Sequence, residues 1–168
     1  RHNLGFMIVD SLYTHYQFEH WKRKFDGMFA SKFFGSEKII LVKPQTYMNL
    51  SGFCVAKFKQ FFKVNDDDIF VIYDDIDLSF GAKRLKQGGG DAGHKGVRSI
   101  SQHLGNKNFN RIRIGVGRPK EKEDVSSFVL SNFSKTEMDS VQPIIKDLCE
   151  NFEKIVQKKA NLTDQRNL

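Results

Sequence analysis

Residues 69–73, Ile-Phe-Val-Ile-Tyr, are apolar without interruption and run straight into Asp74-Asp75-Ile76-Asp77. Five residues is strand length, and a strand that shows no polar alternation is buried on both faces. A sheet built on such a strand needs helices on both sides, and the rest of the chain supplies them. Residues 53–62 carry Cys54, Phe58, Phe61 and Phe62 on one helical face and Lys57, Lys59 and Gln60 on the other. Leu4, Phe6, Ile8, Val9 and Leu12 predict a mostly buried helix with Asn3 near its N-cap. Val97, Ile100 and Leu104 make a third stripe, opposite Lys95, Arg98 and Gln102. A long last helix carries Met138, Val141, Ile145, Leu148, Phe152 and Ile155. It opens with the capping-box pattern Ser134-Lys135-Thr136-Glu137, and Pro143 should kink it or reset its start.

Residues 27–34 and 38–43 read as strands joined near Gly35-Ser36, and residues 81–87 as a short basic strand. Residues 110–117 alternate, with Ile112, Ile114 and Val116 on one face and Arg111 and Arg113 on the other, which predicts a half-exposed strand with a basic outer side. Residues 19–26 and 120–124 are charged and loop-like, and the polar tail after about residue 160 is expected to fray. The fold expected is α/β: one domain over residues 1–168, three layers, with a central twisted, mostly parallel sheet flanked by helices.

A chain of 168 residues, 39% hydrophobic and 28% charged, suits one domain with a full core. No apolar run approaches the roughly 20 residues that span a bilayer. Two cysteines give no disulfide framework and fit a reducing compartment; Cys54 and Cys149 both fall on apolar stripes and read as packing. The net charge of +7 favours a polyanionic partner, and nucleic acid ranks above membrane because no basic amphipathic anchor helix stands out.

Ligands of open α/β sheets collect beyond the carboxyl ends of strands, where Asp74 is placed. Residues 43–52, KPQTYMNLSG, join it there if the preceding apolar run 39–42 is a parallel strand. Pro44 stops that strand and Ser51 is a candidate helix cap. Between them an amide, a hydroxyl, a phenol and a thioether (Gln45, Thr46, Tyr47, Met48) precede Asn49, enough polar variety for a recognition surface. Gly88-Gly89-Gly90 leads through Asp91 to His94, Lys95 and Gly96 at a helix start, where backbone N–H groups can cradle phosphate. It is neither a Walker loop nor a G-x-G-x-x-G fingerprint, and composition alone slightly prefers a flexible loop capped by Asp91. Asp66-Asp67-Asp68 reads as a solvated turn rather than a metal site.

The stretch KPQTYMNLSG resembles the KPxTYMNLSG signature of the bacterial-type peptidyl-tRNA hydrolase family. Further blocks match in order: Arg1-His2-Asn3-x-Gly5-Phe6, residues 74–81 with Arg84, residues 88–100, and Arg111-Ile112-Arg113-Ile114-Gly115. The resemblance implies hydrolysis of the ester between a peptide and tRNA, recycling tRNA from prematurely released peptidyl-tRNA, by a soluble, cytoplasmic, monomeric enzyme with no cofactor and no metal. It implies His2 as the base that activates water and Asp74 as its partner. Asn49 is implied as a substrate ligand near the ester, with Tyr47 and Met48 lining the groove and His94 beside the substrate channel. Lys95 stands where the family has a substrate-binding Asn. Lys83, Arg84, Arg98, Arg111 and Arg113 are the expected tRNA phosphate contacts. The family's first strand and its G-x-G-N-P-G loop are expected to be missing from this chain, which opens on the block that follows them. The competing readings are an RNA-binding protein on the same scaffold without hydrolase activity, like the related plastid group II intron splicing factor, and, more weakly, a nucleotide-binding protein using residues 88–90.

Overall fold

Strand β4 (Phe70–Asp75) forms where the apolar run predicts it, and its alternation sorts the molecule into layers. The computed structural model describes residues 3–119, 124–157 and 166–167. Phe70 and Ile72 pack into a large core with α1 (Leu4–Tyr16) and α5 (Lys135–Gln157). Ile69, Val71 and Tyr73 pack into a second core with Val97, Ile100 and Leu104 of α3 (Lys95–Leu104). Helices therefore cover both faces of the strand, as three layers require. Leu4, Ile8 and Leu12 of α1 are at most 1% exposed, and burying side chains of that size contributes about 1.5–3 kcal/mol each. Helix α2 (Ser51–Phe62) packs on α3.

The α/β class holds, but the sheet is mixed rather than mostly parallel. β6 (Asn110–Gly115) lies parallel to β4, in register from Phe70 opposite Asn110 to Asp75 opposite Gly115. β5 (Lys83–Gln87) runs antiparallel to β6, and β7 (Arg166–Asn167) antiparallel to β5, giving the order β4-β6-β5-β7. A separate antiparallel sheet holds β1 (Lys22–Lys24), β2 (Gly27–Phe34) and β3 (Glu37–Pro44). Among the described residues β4 and β6 are the one parallel pair, and the chain between them is the stretch that contains a helical crossover. β1, β2 and β3 are joined by tight turns, β5 reaches its antiparallel neighbour β6 through a connection that also holds α3, and β7 pairs with β5 from far along the chain. Gly35 turns β2 into β3 at φ +66°, and Phe25 and Asp26, both with positive φ, turn β1 into β2 as a two-residue hairpin prefers. β1 lies in the stretch read as a charged loop.

β6 is also not half-exposed: five of its six residues are buried. Arg111 is 1% exposed, donates to the Gly90 carbonyl at 2.7 Å and the Lys107 carbonyl at 3.4 Å, and stacks over the Phe109 ring. Arg113 donates to Asp75 at 2.8 Å. The alternation is real, but the arginine face is covered by polar partners from distant parts of the chain.

Local signals fare better. Ser134 and Glu137 close the capping box in both directions, at 3.1 and 3.0 Å. Pro143 sits inside α5 without resetting its start. Ser51 is the first residue of α2 rather than its cap, and its hydroxyl donates to the Met48 carbonyl at 2.8 Å across a 3-10 turn, Met48–Leu50. α4 (Val125–Leu130), capped by Asp124, forms where the sequence pattern marks no helix. Of the tail, residues 166–167 pair with β5, and 158–165 and 168 lie outside the described residues. Both cysteines are buried, and burial pushes the Cys54 thiol up to about 12, which leaves it no nucleophilic character near neutral pH.

Candidate active site

Asp74 is the penultimate residue of β4 and is 2% exposed. A carboxylate buried that deeply needs donors, and His94 supplies one: Nε2 lies 3.0 Å from Oδ1. His94 is itself buried and occupies the N-cap position of α3. Its Nδ1 accepts from the backbone N–H of Gly96 at 3.1 Å and of Val97 at 3.3 Å. A ring nitrogen that accepts carries no proton, so the proton sits on Nε2 and is donated to Asp74. The start of α3 thereby fixes the tautomer of His94, and His94 fixes one oxygen of Asp74. The Tyr73 ring packs edge-on against the imidazole at 5.3 Å. Sequence reading places His94 beside a substrate channel; in the structure one ring nitrogen engages Asp74 and the other the start of α3.

His2 lies outside the described residues. The first turn of α1 nonetheless packs close to the site: a Cβ built on Gly5 would stand 2.4 Å from the carbonyl oxygen of Ile72, two residues before Asp74. Tyr47 is 83% exposed, Asn49 is exposed, and Met48 is half-buried beside Gly96, whose missing Cβ would meet the Met48 sulfur at 2.7 Å. The 3-10 turn bearing Met48 and Asn49 packs on α3. So the turn reaches the site through α3, and among the described residues β3, the strand that leads into it, is not paired with β4. Lys95 is the first residue of α3 and is exposed.

The expected phosphate contacts do not form one open row. Lys83 pairs with Asp147. Arg84 is half-buried and donates to the Lys83 carbonyl at 3.0 Å. Arg98 pairs with Asp91 at 3.0 Å and Arg113 with Asp75 at 2.8 Å. Arg111 is buried, as described above, and is a structural cation rather than a surface one.

Sequence reading missed Asp75, Lys86 and Ser99. Neighbouring strand residues face opposite ways, so the doublet Asp74-Asp75 splits, and Asp75 receives Arg113 and the Asp77 amide on the other side. Lys86 lines a small polar cleft of about 180 Å3 with Gly88, Gly89, Gly90 and Arg113, a role its place before three glycines hinted at. Ser99 accepts from the Gly52 N–H at 2.9 Å, which no local pattern signals.

Asp91 does shape the glycine loop as expected, accepting from the Gly93 N–H at 2.8 Å. Arg98 beside it holds its carboxyl below the ordinary 3.8. A depressed carboxyl contributes stability that is full above its unfolded value and is lost as pH falls through the folded one. Because the pair is partly exposed, Asp91→Asn is expected to cost under about 1 kcal/mol near neutral pH. That difference should vanish in urea titrations repeated at about pH 2.

A sequence profile of the peptidyl-tRNA hydrolase family matches residues 1–167. A Rhizobium etli (strain CIAT 652) protein named peptidyl-tRNA hydrolase is 44% identical over 159 residues, which are 95% of this chain and 65% of that protein. One from Oceanobacillus iheyensis is 41% identical over 95% of this chain and 85% of its own length. The crystal structure of peptidyl-tRNA hydrolase from Acinetobacter baumannii matches with a TM-score of 0.89 and 34% identity, over 97% of this chain and 83% of that one. The chain thus spans slightly under two thirds of the Rhizobium relative, at 65% of its length. Sequence profile, relatives and fold agree, and the chain belongs to the peptidyl-tRNA hydrolase family.

Proposed function

We propose that this chain hydrolyses the ester joining a peptide to the terminal ribose of tRNA, with His2 activating the attacking water and Asp74 holding His2. The observation that carries this reading is the buried carboxylate of Asp74, fixed through one oxygen by a neutral His94 at the carboxyl end of β4. The other oxygen serves the base. An imidazole so held keeps the acceptor nitrogen toward water and gains a counter-charge when it becomes imidazolium. Water then attacks the ester carbonyl while its proton passes to His2. As the tetrahedral oxyanion collapses, the C–O bond to ribose breaks and the imidazolium returns its proton to the ribose oxygen. The products are a peptide acid and a tRNA with its terminal hydroxyl restored.

Asn49 stands exposed on the adjoining turn, where its amide N–H can meet the oxyanion or the substrate, with Tyr47 and Met48 beside it. Lys95 replaces a polar clamp by an ionic contact to phosphate. Lys83, Arg84, Arg98 and Arg113 supply further phosphate affinity with little sequence readout, which suits a substrate class of many tRNAs. On this reading the protein acts as a cytoplasmic monomer.

The test is release of N-acetyl-amino acid from N-acetyl-aminoacyl-tRNA, with tRNA binding measured in parallel. His2→Ala is expected to lower turnover by about 10²–10⁴-fold and to leave tRNA affinity nearly unchanged. Undiminished turnover in that variant would remove His2 from the mechanism. Tight tRNA binding by the unaltered chain without turnover would place it among RNA-binding proteins instead.

A further inference from the structure

The outer side of the turn and helix that follow β3 carries large apolar side chains in the open: Tyr47 is 83% exposed, Leu50 47% and Phe53 44%. Scattered singly they would need no explanation, but a contiguous row marks a surface that is used. Spacing lines them up. Residues three apart eclipse in a 3-10 turn, which sets Leu50 beside Tyr47. Residues three or four apart are neighbours on an α-helix, which adds Phe53 and then Lys57. At about 2.0 and 1.5 Å per residue the row runs roughly 16 Å. The inner side of the same stretch is occupied differently: Met48, Ser51, Val55 and Phe58 line a large cavity, and no residue of the outer row does.

The row begins at the candidate site, because Asn49 lies between Tyr47 and Leu50 on the turn that packs against α3. At its far end the Phe53 ring stands edge-on to His103 of α3 at 6.2 Å, and the Lys57 ammonium lies 5.2 Å from the centre of the Phe53 ring. His103 Nδ1 lies 2.8 Å from the Ser99 carbonyl. A carbonyl only accepts, so Nδ1 carries the proton and Nε2 is left as an acceptor. Neither α2 nor α3 contains an Asp or a Glu, while together they carry Lys57, Lys59, Lys95 and Arg98. Ring faces and cations without a carboxylate suit a polyanion that has flat faces of its own. Two arms leave the ester of the proposed substrate. One is a peptide, whose charge varies with its sequence. The other is the unpaired 3′-terminal nucleotides of tRNA, each with a phosphate and a base that stacks on any aromatic ring. We infer that the row from Tyr47 to Lys57, with His103, seats those unpaired nucleotides. Bases stack along Tyr47 and Phe53 across Leu50, Lys57 meets a phosphate, and His103 Nε2 accepts from an exocyclic amine of a base. The inference rests on the tRNA reading above and deepens it.

The test reads binding of unesterified tRNA, so it stands apart from turnover. The probes are intact tRNA and the same tRNA trimmed of its unpaired 3′-terminal nucleotides. The unaltered chain is expected to bind the intact form about tenfold more tightly or better, since each stacked base contributes about that much. Phe53→Ala is expected to weaken intact tRNA about tenfold and to leave the trimmed form unchanged. Phe53→Leu keeps an apolar side chain and loses the flat ring, and should do the same; Phe53→Tyr should bind as the unaltered chain does. Lys57→Gln should lower the salt slope for intact tRNA by about one. Equal affinity of the unaltered chain for both forms, or a Phe53→Ala effect that is nil or equal on both, would overturn the proposal. So would a loss in Phe53→Ala that appears only as the esterified peptide lengthens, which would give the row to the peptide. Discrimination between the two tRNA forms without turnover would uphold this inference and remove the hydrolase reading; turnover without discrimination would do the reverse.

Discussion

Asp74→Asn is expected to lower release of N-acetyl-amino acid by about 10²–10⁴-fold while leaving tRNA affinity nearly unchanged. The size of the loss follows from His94. Its Nδ1 is committed to the Gly96 and Val97 amides, so its Nε2 must remain a donor. An Asn side chain has one acceptor and one donor end. Presenting its NH2 to His94 would set donor against donor, so the amide oxygen must turn that way. The NH2 is then left toward the base. An NH2 cannot counter an imidazolium charge, and it competes for the imidazole nitrogen that should receive the proton. The structural cost is smaller: one charge-assisted bond becomes a neutral one, about 1 kcal/mol. The variant should therefore fold, bind tRNA and fail in the chemical step, so that kcat drops and KM barely moves. A kcat equal to that of the unaltered chain would end the assignment of Asp74 as the partner of the base.

What the sequence made legible was local. β4 could be read because a doubly buried strand leaves an uninterrupted apolar run. The start of α5 could be read because Ser134 and Glu137 bond to each other's amides three residues apart. The site was legible in part: Asp74 lies where a strand of this kind ends, and residues 47–49 lie on the turn that the pattern marked. What escaped was long-range. Arg113 looked unpaired because its partner Asp75 lies 38 residues away, and Lys83 because Asp147 lies 64 away. β1 escaped because Lys-Arg-Lys carries no apolar alternation and owes its form to pairing with β2. His94 escaped as a cap because the usual N-cap side chains bring an oxygen, whereas here a ring nitrogen accepts. The mixed sheet escaped because strand direction depends on how the connections close, and residue patterns within a strand do not encode that.

Gly52→Ala is expected to destabilise the fold by about 2–4 kcal/mol, at the upper end of overpacking costs, although alanine is the better helix former. Gly52 is the second residue of α2. A Cβ placed there would stand 2.0 Å from the Ser99 carbonyl oxygen, 2.3 Å from its carbon and 2.7 Å from His103 Nδ1. The first two are backbone atoms of α3, which cannot swing aside as a long side chain can. The Ser99 carbonyl is further held by His103 at 2.8 Å. The helices must separate, and the bond from the Gly52 N–H to Ser99 Oγ is lost with the close approach. Alanine's intrinsic gain of about 1 kcal/mol offsets only part of this. For a chain of this size each kcal/mol moves Tm by about 2–4 °C, so a fall of roughly 5–15 °C is expected in a thermal melt. Gly90→Ala is the control, since nothing lies within 4 Å of where its Cβ would stand and its backbone needs no left-handed angle. Because α3 carries His94 at its first turn, the same separation loosens the hold on Asp74, and turnover should fall further than the loss of folded protein explains. A Gly52→Ala chain that melts at or above the unaltered temperature would show that α2 and α3 can part without strain, and that this glycine does not set the spacing behind the site.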